Sequence, residues 1–171
     1  VMRLGAEKCP DTFVRVAARV LADRRDAHAV LVGSGPMDGE IRKLAAGMPC
    51  ASRIHVLGRR DDAHRLVGAS DALLLTSRVE GSPNVLIEAQ SLGCPVVATD
   101  VGGAADVMLT GKSGFLVPLG DIAGLAHAVG RLLDDGQLRT RMSAAGRSFA
   151  HDAFRLDRMV EETLAHYVAG Q

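Results

Sequence analysis

Residues 72–99 read ALLLTSRVEGSPNVLIEAQSLGCPVVAT. Two short apolar runs bracket this stretch, Ala72 to Leu75 and Pro95 to Ala98, and each is followed by turn-forming residues, Thr76-Ser77 and Thr99-Asp100. The runs are near-continuous rather than alternating. Strands buried on both faces look like this, and such strands belong to parallel sheets covered by helices. Between them, Ser82-Pro83 predicts an N-cap with proline at the first helical position, opening a helix that runs to Leu92 and stops at Gly93.

The same grammar extends outward in both directions. Ala29 to Val32 ends at Gly33, Ile54 to Leu57 at Gly58, and Phe115 to Val117 at Pro118. Val1-Met2-Arg3-Leu4 reads as the end of a further strand, so an excised domain or fragment is expected. Helical spacing marks Asp11 to Leu21, Asp38 to Met48, Asp62 to Ala69 and Asp121 to Leu133. Gln137 to about Ala150 and Arg155 to Val168 are helical with no strand between them. Right-handed crossovers then predict a single domain over 1–171: an α/β, doubly wound parallel sheet of about six strands, helices on both faces, and a C-terminal helical tail. Ligands of such sheets bind at the carboxyl ends of the strands.

Composition narrows the function classes. Lys plus Arg equals Asp plus Glu, 20 against 20, so no global field recruits nucleic acid or an anionic membrane. One Tyr, four Phe and no Trp leave little for stacking on bases, which argues against a single-strand nucleic-acid partner. Cys9, Cys50 and Cys94 are widely spaced, without C-x-x-C, so neither a disulfide framework nor a zinc site is expected and a reducing compartment fits. The histidines take no metal-ligand spacing, and no apolar run reaches the length of a transmembrane segment.

The strand ends carry the candidate chemistry. Arg3 and Lys8 could flank a phosphate, or be surface charge. Gly33-Ser34-Gly35-Pro36 permits close backbone approach at a helix start, but lacks the third glycine of G-x-G-x-x-G, because Asp38 stands there; NAD binding is not supported. Arg59 and Arg60 could stack on a base or pair with phosphate, or belong to a solvated turn capped by Asp61 or Asp62. Glu80 precedes the helix start and Glu88 lies inside the helix between Ile87 and Ala89. A carboxylate buried there needs donors, which a sugar diol offers, while the free N–H groups of Asn84, Val85 and Leu86 suit a diphosphate. The other reading has Glu80 capping the helix and Glu88 paired with an arginine. The residues alone leave both open.

Taken together, Glu80 to Glu88 resembles the E-x7-E motif of retaining glycosyltransferases, in the family 4 group with the two-domain GT-B fold. Gly33-Ser34-Gly35-Pro36, Gly93-Cys94-Pro95-Val96-Val97-Ala98-Thr99, Gly102-Gly103 and Gly111-Lys112-Ser113-Gly114-Phe115-Leu116-Val117-Pro118 are similar to that family's donor domain, in the right order. Arg3 and Lys8 resemble its G-R-L-x-x-x-K segment, with Met2 where glycine is usual, and Asp106 stands where the family often has Glu. The resemblance covers nearly the whole chain and implies a Rossmann-like half of a GT-B enzyme.

By that resemblance Arg3 and Lys8 neutralise the donor diphosphate, Glu80 binds the transferred sugar, and Glu88 holds the ribose diol. Backbone from Gly81 and Ser82 through Asn84, Val85 and Leu86 holds sugar and phosphate; Gly33, Gly35 and, more loosely, Arg59 and Arg60 complete the donor site. The donor is a UDP- or GDP-sugar, with no cofactor and no metal. The acceptor site lies on a separate N-terminal domain absent from this chain, which alone binds donor without turning it over. Surface polysaccharide or glycolipid synthesis is the implied setting, in the cytoplasm or peripherally at the inner membrane face. Two other readings are a nucleotide-sugar epimerase of the same fold and a non-catalytic binding module.

Overall fold

The four residues of β4, Val96–Thr99, are all buried, and their side chains divide between two layers. Val96 and Ala98 pack with Leu86 and Ala89, while Val97 packs with Val16, Leu125 and Leu132. Side chains alternate across a strand, so a strand covered by helices on both faces has no polar side left and reads as a continuous apolar run. A computed structural model of the chain describes residues 1–155 together with Asp157, Val160, Leu164 and Tyr167.

Elements follow in the order α1 (Pro10–Ala22), β1 (Ala29–Val32), α2 (Asp38–Ala46), β2 (Ile54–Gly58), α3 (Ala63–Gly68) and β3 (Leu73–Leu75), then α4 (Asn84–Ser91), β4, β5 (Gly114–Val117), α5 (Ile122–Asp134) and α6 (Gly136–Ala153). Short 3-10 helices occupy Ala6–Lys8, Ala51–Arg53 and Gly102–Val107. All strand pairs are parallel: β1 with β2, β3 with β4, and β4 with β5. Asp121 and Asp135 cap α5 and α6, their side chains accepting from the N–H groups of Gly124 and Leu138. The alternation of strand and helix, the parallel pairing and the helical end agree with the Rossmann-like reading.

The sheet differs in one detail from the expectation, and one expected helix falls largely beyond what the structure describes. Among the described residues the parallel strands number five and hydrogen-bond in two pieces, β1-β2 and β3-β4-β5, where a single sheet was expected. Val1 to Leu4 does run alongside β1, with Met2 N–H donating to Val32 O (2.9 Å) and Leu4 N–H to Ser34 O (3.0 Å). That ladder is too short to bridge the pieces. The expected helix Arg155 to Val168 lies largely outside the described residues; of its apolar stripe Val160, Leu164 and Tyr167 are exposed.

Candidate functional site

The loop after β3 is tied to the start of the chain. Thr76, fully buried, donates its hydroxyl to the carbonyls of Lys8 and Cys9, each at 3.0 Å, and Arg78 N–H donates to Glu7 O at 2.9 Å. Cys9 adopts the left-handed conformation (φ 47°), rare for a residue with a side chain, and turns the chain from the 3-10 helix into α1 with Pro10 at its start. These ties carry Lys8 to Glu80. Its Nζ lies 2.7 Å from Glu80 Oε1, and the carboxylate side chain is only 7% exposed. A carboxylate so buried requires a cation or several donors.

The backbone under Glu80 is moulded by the paired glycines. Gly102 has φ +49°, and a Cβ there would sit 1.8 Å from Glu80 O; one on Gly103 would sit 1.9 Å from Gly81 O. Gly103 N–H donates to Glu80 O at 3.3 Å. From β4, Thr99 Oγ1 donates to Ser77 O at 2.5 Å. Ser77 Oγ is buried with no hydrogen-bond partner among the described residues.

Around the ion pair opens a cavity of about 230 Å³, whose walls include Val1, Lys8, Glu80, Ser82, Asn84 and Val85. The start of α4 forms one wall. Its N-cap position is Pro83, not Ser82, and no side chain caps it. Leu86 N–H is already bonded to Pro83 O (2.9 Å), and Leu86 is fully buried, so Leu86 is not a free donor. The N–H groups of Asn84 and Val85 remain for a ligand, with the positive end of the helix dipole behind them. Ser82 and Asn84 of the wall are exposed, as is the neighbouring Gly81.

Glu88 differs from expectation. It is exposed, because the buried stripe of α4 is Leu86, Ala89 and Gln90, and Glu88 points away from it. The need of a buried carboxylate for donors therefore applies to Glu80, not Glu88. Nor is Glu88 paired with an arginine among the described residues, and it lies outside the lining of the Lys8–Glu80 cavity. The buried polar residue of this helix is Gln90, which sequence reasoning missed. Its Nε2 donates to Leu86 O (2.9 Å) and Val107 O (2.7 Å), and its Oε1 accepts from Ser113 Oγ (2.7 Å). A glutamine at i+4 from a buried leucine was the available signal.

The remaining predicted residues are scattered. Arg3 is exposed beside the segment that carries Lys8, outside the cavity wall. Gly33 and Gly35 have a reason for being glycine that involves no ligand: a Cβ on Gly33 would meet Met2 O at 1.7 Å, and one on Gly35 would meet Leu4 O at 2.5 Å. Arg59 and Arg60 follow the edge strand β2; Arg60 is engaged by Asp62 at 2.7 and 2.8 Å, and Arg59, mostly exposed, is 4.0 Å from Asp61. The structure does not bring them to the Lys8–Glu80 cavity. Thr76 and Ser77 were not anticipated; their burial comes from contacts distant in sequence.

Among the described residues no group of three or more His, Cys, Asp or Glu is placed to hold a metal ion, and no helix is long and apolar enough to cross a membrane. The three cysteines are free and buried.

The profile of the family described as glycosyl transferases group 1 matches residues 1–135. The N-acetyl-alpha-D-glucosaminyl L-malate synthase of Bacillus anthracis is 34% identical over 137 residues, 80% of this chain and 36% of that protein, so the chain spans about a third of its length. HepE of Anabaena, solved in complex with UDP-glucose, superposes with a TM-score of 0.85 at 26% identity, over 99% of this chain and 47% of that one. The C-terminal domain of a glycosyl transferase group 1 family protein (LpcC) of Francisella tularensis shares the fold, with a TM-score of 0.80 at 23% identity, over 90% of this chain and 83% of that one. The profile match runs through the first segment, the loop after β3 and the paired glycines alike, and the chain belongs to the glycosyl transferases group 1 family.

Proposed function

We propose that this chain is the donor-binding, C-terminal half of a retaining glycosyltransferase that transfers a sugar from a nucleoside-diphosphate sugar. The observation that carries this reading is the cavity in which a cation, a buried carboxylate and an open helix N-terminus converge within one wall: Lys8, Glu80, and Asn84 with Val85. A sugar diphosphate has the complementary parts. Its phosphates carry negative charge for Lys8, Arg3 and the two amides; its sugar hydroxyls donate to Glu80.

Without a donor, Lys8 satisfies Glu80. With one, Lys8 is shared between the carboxylate and the diphosphate, and hydroxyls replace part of what the carboxylate loses. As the glycosidic bond breaks, charge grows on the leaving diphosphate, and fixed cations and dipoles aimed there stabilise that state more than the ground state. This reading needs no metal ion. Glu88, exposed along the same helix, reaches the ribose diol. HepE's complex with UDP-glucose supports the donor class and the Francisella domain supports the C-terminal placement.

The acceptor then sits on an N-terminal domain across a cleft, and the present chain binds donor without turning it over. The full protein works in surface polysaccharide or glycolipid synthesis, in the cytoplasm or at the inner membrane face. Calorimetric titration of UDP, GDP and ADP into this chain tests the reading. One nucleotide should bind, and Glu88→Ala should weaken it by about 1–3 kcal/mol, the range for a hydrogen bond to a charged group. Absence of binding to both this chain and the full-length protein overturns it.

A further inference from the structure

Two imidazoles distant in sequence meet at the amino ends of β1 and β2. His28 Nδ1 lies 2.9 Å from His55 Nε2, across 27 residues of chain. The rings are inclined by 23°, with centroids 5.2 Å apart. Their meeting follows from the strand register, in which Ala29 pairs with Ile54 and Val30 with His55. Ile54 belongs to the core under α1 and α2, with Ala29 and Val56 packed against it. Side chains alternate across a strand, so Val30, His55 and Leu57 turn to the opposite face. That face is open here: Val30 is 38% and Leu57 41% exposed. His28, two residues before Val30, reaches it from the turn after α1.

That turn is held in place by Arg53, directly before β2. Its Nη1 donates to Arg24 O at 2.6 Å and reaches Ala27 O at 3.5 Å, and its Nη2 donates to Leu21 O at 2.9 Å. The guanidinium thus satisfies carbonyls at the end of α1 and fixes the segment leading to His28 against the start of β2. His28 is exposed and His55 half-buried. An N–H···N bond between two such rings competes with water and adds little to stability. The outer nitrogens, His28 Nε2 and His55 Nδ1, bond to nothing among the described residues.

We propose that His28 and His55 form a two-histidine site for a divalent transition ion, with nickel or copper(II) the best match and water completing its shell. Two ring nitrogens about 2.0–2.1 Å from one ion stand roughly 2.9 Å apart at a right angle and roughly 3.3 Å apart at the tetrahedral angle. The observed 2.9 Å is already the right-angle separation that a tetragonal ion needs. Magnesium and calcium, which take oxygen ligands, do not fit. Coordination requires both facing nitrogens unprotonated. The one proton held between the rings passes through water to the outer nitrogen of the imidazole that carried it, and both rings stay neutral. The bound ion clamps the turn after α1 to β2. It sits at the amino ends of its strands, whereas the Lys8–Glu80 cavity follows the carboxyl end of β3. It takes no part in sugar transfer, and the site stands whatever binds in that cavity.

Calorimetric titration of Ni²⁺ into the untagged chain tests the proposal, with Mg²⁺ as the blank. One Ni²⁺ per chain should bind. His28→Ala and His55→Ala should each weaken it by about a hundredfold, within the gain that joining two ligands gives. His127→Ala removes an exposed histidine of α5 and should leave binding unchanged. Saturating Ni²⁺ should raise the melting temperature of the parent chain and of His127→Ala, but not that of His28→Ala or His55→Ala. Melting of the metal-free variants close to that of the metal-free parent shows that each is folded. No saturable binding overturns the proposal; so does binding that survives either His28→Ala or His55→Ala, which would mark attachment to single imidazoles.

Discussion

Lys8 Nζ lies 2.7 Å from Glu80 Oε1 across 72 residues of sequence, and the pair joins the opening segment to the loop after β3. The two partners are unequally placed, with side chains 26% and 7% exposed. Removing the cation strands the more buried charge. Lys8→Met should therefore destabilise the chain by about 1–3 kcal/mol in urea unfolding, and Glu80→Gln by less. The double variant Lys8→Met with Glu80→Gln should be more stable than the sum of the single losses predicts. Strict additivity would show that the contact contributes no coupling.

The paired glycines make a second prediction. At Gly102 both the positive φ and the Glu80 carbonyl at 1.8 Å from an added Cβ oppose any side chain. Gly102→Ala should cost about 2 kcal/mol or more, and should displace Glu80. Gly39, exposed in α2 with nothing within 4 Å of an added Cβ, is the contrast. Gly39→Ala should be neutral or stabilise by about 0.5–1 kcal/mol. Thermal melts of the two variants beside the parent chain decide both.

Gln90 closes a buried network of Leu86 O, Val107 O and Ser113 Oγ. Gln90→Leu keeps similar bulk but leaves the buried Val107 carbonyl without its side-chain donor and reduces Ser113 Oγ to its contacts with Leu109. A loss of about 1–3 kcal/mol is expected from denaturant midpoints. A neutral result would mean that the network relaxes onto other donors.

Much of this was legible in the sequence, and the misses share a cause. The strand ends fell within a residue or two of their observed places, because fully buried parallel strands show as unbroken apolar runs. Glu80 was identifiable by its place before a helix start, but its burial was not, since Lys8 and Gly102 approach from far along the chain. The burial expected of Glu88 was misjudged because Ile87 and Ala89 flank it in sequence; in a helix such neighbours stand about 100° apart and enclose nothing. The spacing of Leu86, Ala89 and Gln90 held the right phase. Gly33 and Gly35 were read as positions where backbone approaches a ligand; they, like Gly102 and Gly103, lie where an added Cβ would meet backbone of the chain itself. What approaches each is the chain's own backbone, and sequence gives no sign of which backbone arrives.

Cys94 supplies the pH dependence. It is 1% exposed, and its thiol is pushed up from an ordinary value near 9.0 to about 12, first by desolvation and then by the charge of Asp71. The folded pKa is raised, so the contribution is complete below about pH 9 and is lost as pH rises toward 12. In that window the folded state holds a proton the unfolded state has released, at up to about 1.4 kcal/mol per pH unit. The stability advantage of the parent over Cys94→Ala should therefore shrink between pH 9 and 11. Native Cys94 should also resist iodoacetamide at pH 8 and react once the chain is unfolded.

A nucleoside diphosphate should bind between Lys8, Glu80 and the start of α4. Titrating UDP and GDP into isotope-labelled chain and following backbone amide shifts tests it residue by residue. Saturable shifts are expected for one nucleotide at Gly81, Asn84 and Val85, lost or weakened in Lys8→Ala. Shifts confined to residues 33–37 or to Arg59 and Arg60, with Asn84 and Val85 unmoved at saturation, would contradict it.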